Sequence, residues 1–109
     1  PHGIANAVLL PHVMEFCLIG NPEAFANVAR AMGEATSGMT SMQAARLSIK
    51  AVRELSRDVG IPDSFASFGM TEDHFEAMVE DTFRSYGIPV SPVRITREDV
   101  IRLYRLAMR

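Results

Sequence analysis

The chain has 109 residues, a formal net charge of −2 and 48% hydrophobic residues, which makes it one domain at most with enough apolar material for one core. Its near-neutral balance, with no basic patch interleaved with aromatics, argues against a nucleic-acid partner. The single cysteine, Cys17, cannot close an internal disulfide, so a reducing, cytoplasmic setting is expected.

The first predicted helix runs from about Gly3 to Leu18, bent or interrupted at Pro11 and stopped by Gly20. Ile4, Val8, Leu9, Val13 and Phe16 recur at helical spacing, and the apolar residues occupy almost the whole circumference. Such a helix is expected to be central and buried, with Asn6 as a buried amide. No apolar run is expected to reach the roughly 18 residues of a membrane span. A signal peptide is not expected either, since a basic leader is missing and Asn6, Pro11 and His12 interrupt the run.

Asn21-Pro22-Glu23 reads as a helix start: asparagine caps, proline suits the first turn, and glutamate complements the dipole. Phe25, Val28, Ala29 and Met32 form the expected inner face, and Gly33 ends the helix. Thr40 and Gln43 form a capping box for the next helix, which runs to about Val59. Its inner face is Ala44, Leu47, Ala51, Val52, Leu55 and Val59, and Arg46, Lys50, Arg53, Glu54 and Arg57 form a solvated outer face. Gly60 closes it and Pro62 prevents continuation. A short turn is expected over Ser64 to Phe68, and Thr71 with Glu72 and Asp73 starts another helix, faced by Phe75, Met78, Val79, Thr82, Phe83 and Tyr86. Residues 86–92 are irregular. Thr96 and Asp99 cap the last helix, whose face is Val100, Leu103, Tyr104 and Ala107. The fold class is therefore all-α, with about five to six mostly antiparallel helices.

Chemistry is sparse. The glycines stand singly at helix ends, so no loop cradles a dinucleotide, and neither a nucleophile elbow nor Cys-x-x-Cys occurs. Cys17 and the seven methionines read as core filler. His74, among Glu72, Asp73 and Glu76, reads as an exposed histidine at an acidic helix start. His2 stands where the first helix begins; by position alone a histidine beside a glycine is more often a capping or surface residue than a metal ligand.

A resemblance adds to this. The run Pro1-His2-Gly3-Ile4-Ala5-Asn6-Ala7-Val8-Leu9-Leu10-Pro11-His12-Val13-Met14-Glu15-Phe16-Cys17 is similar to the P-H-G-x-x-N-A-x-x-L-P-x-V-x-x-F-N of the iron-containing alcohol dehydrogenases. Cys17 departs from the usual asparagine. Gly60-Ile61-Pro62 resembles the family's G-I-P segment, and the helix from Thr96 resembles its closing helix. Ser91-Pro92-Val93 matches the family's N-P-R at the proline only. The resemblance implies that His2 is one ligand of a divalent metal, iron or zinc, whose other ligands, an aspartate and two histidines, lie upstream and are not in this chain. It implies that residues 1–109 are the C-terminal helical part of a larger two-domain enzyme that interconverts alcohols and aldehydes or ketones with NAD(P). The absence of an initiator methionine agrees with a fragment. The expected partners are the N-terminal part of the same chain, a small alcohol or aldehyde substrate, and further copies meeting through exposed apolar surface. Alone, the chain is expected to be inactive and to hold no cofactor tightly. The alternative is a stand-alone helical binding module without catalysis.

Overall fold

The computed structural model describes residues 2–84 and 88–109, with the side chains of His2 and Phe68 outside the described part. Five α-helices follow one another: α1 (His2–Cys17), α2 (Pro22–Ala31), α3 (Ser41–Asp58), α4 (Phe75–Arg84) and α5 (Arg97–Met108). Short 3-10 turns lie at Leu18–Gly20, Phe65–Phe68 and Glu72–His74. Among the described residues there is no strand, as the sequence leads one to expect of an all-α chain. Tyr86, assigned from the sequence to the face of α4, lies outside the described residues.

The helix starts are those the sequence signals. The Asn21 side chain accepts the Ala24 N–H at 3.2 Å. Thr40 accepts from the Gln43 backbone at 3.1 Å while Gln43 reaches back to Thr40 N at 2.9 Å. Thr96 and Asp99 repeat that exchange at 3.2 and 3.0 Å. Each reciprocal pair satisfies two donors that a helix start otherwise leaves unpaired.

Helix α1 continues through Pro11 without interruption and serves two cores. Its first half contributes Val8 to a cluster with Phe65, Phe75, Val79, Val100, Tyr104 and Ala107. Its second half contributes Met14, joined by Leu18 and Ile49, with Phe25, Met42 and Val52 packed around them. The expectation of full burial is corrected. Ile4 and Leu10 are exposed, Leu10 to 46%, and Asn6 is exposed as well. The expectation about membrane spans is corrected too: the helical window Gly3–Gly20 has 18 residues and a mean hydropathy of 1.5, enough by length and composition to cross a bilayer. In this fold the same window packs Val8, Met14 and Leu18 into the two cores and leaves other apolar residues uncovered.

Helices α2 and α3 form the most extensive pair, and they run in the same direction. Ser41, at the start of α3, donates to Glu23, at the start of α2, at 2.6 Å. Met32 and Glu34, past the end of α2, share a groove with Ala51, Glu54, Leu55 and Asp58 in the second half of α3. The segment 32–40 returns along the pair. Their buried faces are also rotated from those expected: α2 buries Ala26 and Ala29 while Val28 and Met32 are exposed, and α3 buries Ala44, Ala45, Ser48, Ile49 and Ala51 while Leu55 and Val59 are exposed. Small residues on both sides let the backbones approach. The Ser48 hydroxyl, fully buried, is satisfied by Ala45 O at 2.6 Å. Helices α4 and α5 are antiparallel: Arg105 near the end of α5 pairs with Glu72 before α4, and Arg97 at the start of α5 pairs with Glu76 and Glu80.

The whole is a slab of 45 × 31 × 19 Å with a radius of gyration of 14.5 Å. A compact domain of this length has about 13 Å. The excess fits an element that spreads its apolar helix over two separate cores.

Candidate functional site

The histidines do not converge. His2 is the first residue of α1. His12 lies ten residues further along the same helix, about 15 Å away along the axis and some 80° around it at roughly 100° per residue. His74 stands elsewhere, before α4, where its Nδ1 accepts the Thr71 N–H at 3.1 Å. That bond makes it a cap, a role the Thr71-x-x-His74 spacing signals in the manner of a capping box and the sequence reading missed. Among the described residues no three His, Cys, Asp or Glu side chains come together to hold a metal ion.

Cys17 is buried, and burial pushes its thiol up from the usual range against a weaker lowering by Ser91, whose Oγ lies 4.0 Å away. It behaves as a small apolar residue, as expected. Next to it, Gly20 lies against Pro92 and Val93: a Cβ there would fall 2.7 Å from the Pro92 carbonyl carbon and 2.8 Å from Val93 Cγ2. Gly20 is therefore required by close packing of the 88–93 segment against the end of α1.

The cleft that holds titratable groups is one the sequence reading did not name. Its walls are Ala7, Val8, Pro11 and His12 of α1, Arg53, Ser56 and Arg57 of α3, and Ile61, Pro62 and Asp63 beyond it. The end of α3 builds it. Gly60, at φ +85°, turns the chain, with Gly60 N bonded to Arg57 O at 3.2 Å and Ile61 N to Ser56 O at 2.8 Å. This is the paired bonding of a Schellman end, and it drives Ile61 into the core and brings Pro62 and Asp63 under α1. Ser64 then ties the segment to α5 by donating to Met108 O at 3.2 Å. His12 is half-buried in the cleft. Desolvation, with the Arg53 guanidinium next, holds its imidazole below the usual range against the opposing pull of Glu15. Arg53 itself reaches Glu15 at 3.8 Å.

Comparison with known proteins covers nearly the entire chain. Residues 1–108 match the family described as Fe-containing alcohol dehydrogenase family, C-terminal. The chain is 42% identical over 107 residues to 1,3-propanediol dehydrogenase of Citrobacter freundii, covering 98% of this chain and 28% of that protein. It is 33% identical over 107 residues to the NAD-dependent methanol dehydrogenase of Bacillus methanolicus, again 98% of this chain and 28% of the relative. A solved structure of 1,3-propanediol oxidoreductase superimposes with a TM-score of 0.93 at 39% identity, over 99% of this chain and 28% of that one. The chain thus spans little more than a quarter of the length of these relatives.

Proposed function

The chain belongs to the Fe-containing alcohol dehydrogenase family, of which it is the C-terminal region, and on that premise we propose that it forms the helical wall of a metal- and NAD(P)-dependent enzyme interconverting small alcohols and their aldehydes or ketones. The observation that carries this reading is the match over residues 1–108 together with the near-identical course of the helices.

Within that enzyme His2 is one metal ligand. A histidine is a donor that iron and zinc accept, and His2 opens a helix anchored in two cores. When bound, the metal supplies Lewis acidity toward the substrate oxygen. The chain's own contribution is positional. Val8 and Met14 fix α1, so the backbone that carries His2 is held in register with whatever faces it. Exposed apolar residues such as Ile4, Leu10 and Ile19 meet the N-terminal part of the protein, or another copy, which removes apolar surface from water. The nicotinamide cofactor binds on that N-terminal part. A cytoplasmic location is supported by the free, buried Cys17.

The test is an assay of alcohol-dependent reduction of NAD or NADP by the protein of relatives' length that carries this chain, supplied with iron or zinc. Turnover of one- to three-carbon alcohols is expected there, and none from the 109-residue chain alone. Metal-loaded protein inactive toward every such alcohol and aldehyde would contradict the proposal, and so would turnover by the short chain.

A further inference from the structure

We propose that the cleft between the middle of α1 and the end of α3 binds a protonated oxyanion, with Arg53 and Arg57 donating to its oxygens and Asp63 accepting its hydroxyl. The free volume is about 70 Å³, on the scale of one tetrahedral oxyanion. Arg53 and Arg57 are four residues apart on α3, hence on one helical face. Two guanidinium forks present the donor geometry that phosphate and carboxylate oxygens accept. The Ser56 hydroxyl adds a group able to donate or accept.

Charge at the cleft supports an anion near its arginines. Among the described residues Arg53 is ion-paired with Glu15, at 3.8 Å and with both side chains about half exposed, a contact longer than a hydrogen bond and easily exchanged. The Arg53 guanidinium lies near enough to His12 to help lower its imidazole pKa. The end of α3 does not spoil this with bare carbonyls, because Val59, Gly60 and Ile61 donate to Leu55, Arg57 and Ser56.

Asp63 sets the selectivity. An ionised carboxylate only accepts hydrogen bonds. It repels an oxyanion that carries no proton and bonds one that does. Inorganic phosphate keeps a proton throughout the neutral range, and a phosphate monoester, with a second pKa of about 6, keeps one only below that pH, whereas sulfate has none to give. The cleft's α1 walls, Ala7, Val8, Pro11 and His12, all lie some 80° or more around the helix from His2, so it is separate from the proposed metal corner.

The experiment measures the thermal midpoint and calorimetric binding of the intact protein in inorganic phosphate, methyl phosphate and sulfate at matched ionic strength, near pH 6.5. Saturable stabilisation by phosphate and none by sulfate is expected. Arg57→Gln lowers phosphate affinity roughly tenfold or more, as expected for lost charged hydrogen bonds. Asp63→Asn admits sulfate as well as phosphate. Both residues are exposed, so neither change endangers the fold. At about pH 5.5, where methyl phosphate is largely monoprotonated, its tighter binding than phosphate identifies the phosphoryl group of a larger molecule as the occupant, and weaker binding identifies the free ion. Equal effects of phosphate and sulfate on the parent, or phosphate binding unchanged in Arg57→Gln, would overturn the proposal.

Discussion

Replacing Gly20 by alanine probes the contact that docks the 88–93 segment onto α1. The new methyl carbon would sit nearest the Pro92 carbonyl oxygen, 2.7 Å from its carbon and 2.8 Å from Val93 Cγ2. Carbon atoms pack no closer than about 3.5 Å, so the overlap is about 0.8 Å. The neighbours cannot give way cheaply. Two of the three are backbone atoms of a proline with fixed φ, and Ser91 clamps the turn by donating to Val93 O at 2.6 Å. Overpacking of this kind costs about 1–3 kcal/mol. Alanine also narrows the unfolded ensemble, which returns about 0.4–1 kcal/mol. A net loss of about 1–2 kcal/mol follows, measured by urea unfolding, at about 4–8 °C of melting temperature per kcal/mol. Gly3→Ala is the control: nothing lies within 4 Å of its Cβ, and it leaves stability unchanged or up to about 1 kcal/mol higher. Gly20→Ala as stable as the parent would refute the contact.

Thr40→Ala removes the acceptor for the Gln43 N–H and is expected to lower unfolding stability by about 1 kcal/mol, with Thr40→Gly costing only a few tenths. His12, whose imidazole is held below its usual range by burial, takes up its proton at higher pH in the unfolded chain than in the folded one. Stability is therefore unaffected by His12 above the unfolded value, falls as pH drops through about 6.5, and levels off below the folded value. Urea midpoints at about pH 7.5 and about pH 5.5 should show this loss, and His12→Gln should shrink it; an unchanged loss would remove His12 as its source. The 109-residue chain alone is expected to bind iron or zinc weakly, because one histidine is too few ligands for a tight site, and dialysis against a chelator should strip it.

The sequence signals that held are local ones. Asn21, Thr40 and Thr96 cap their helices because a short polar side chain and its third neighbour act within one turn, independent of the rest of the fold. Helix α5 buries Val100, Leu103, Tyr104 and Ala107 because its charged residues leave only one face apolar. The signals that failed depend on neighbours far along the chain. In α1 apolar residues all round cannot say which side meets this core and which meets another surface, so Ile4, Leu10 and Asn6 were misplaced. In α2 and α3 the small residues Ala26, Ala29, Ala45 and Ser48 carry the contact, and a reading that follows large residues turns each helix toward Val28, Leu55 and Val59 instead. The cleft at His12 needs Pro62 and Asp63 carried under α1 by the turn at Gly60, a tertiary result that no single stretch of sequence encodes. His2 became a metal candidate through family resemblance alone, since spacing gave it no partner in the chain.

The central claim is that this helical region delivers His2 to a metal held jointly with the rest of the protein. Elemental analysis of the purified protein of relatives' length, parent against His2→Ala and His12→Ala, tests it most directly. The account predicts that His2→Ala loses most of its bound metal and turnover, while His12→Ala keeps its metal. Equal metal loss in both variants, or loss confined to His12→Ala, would contradict it.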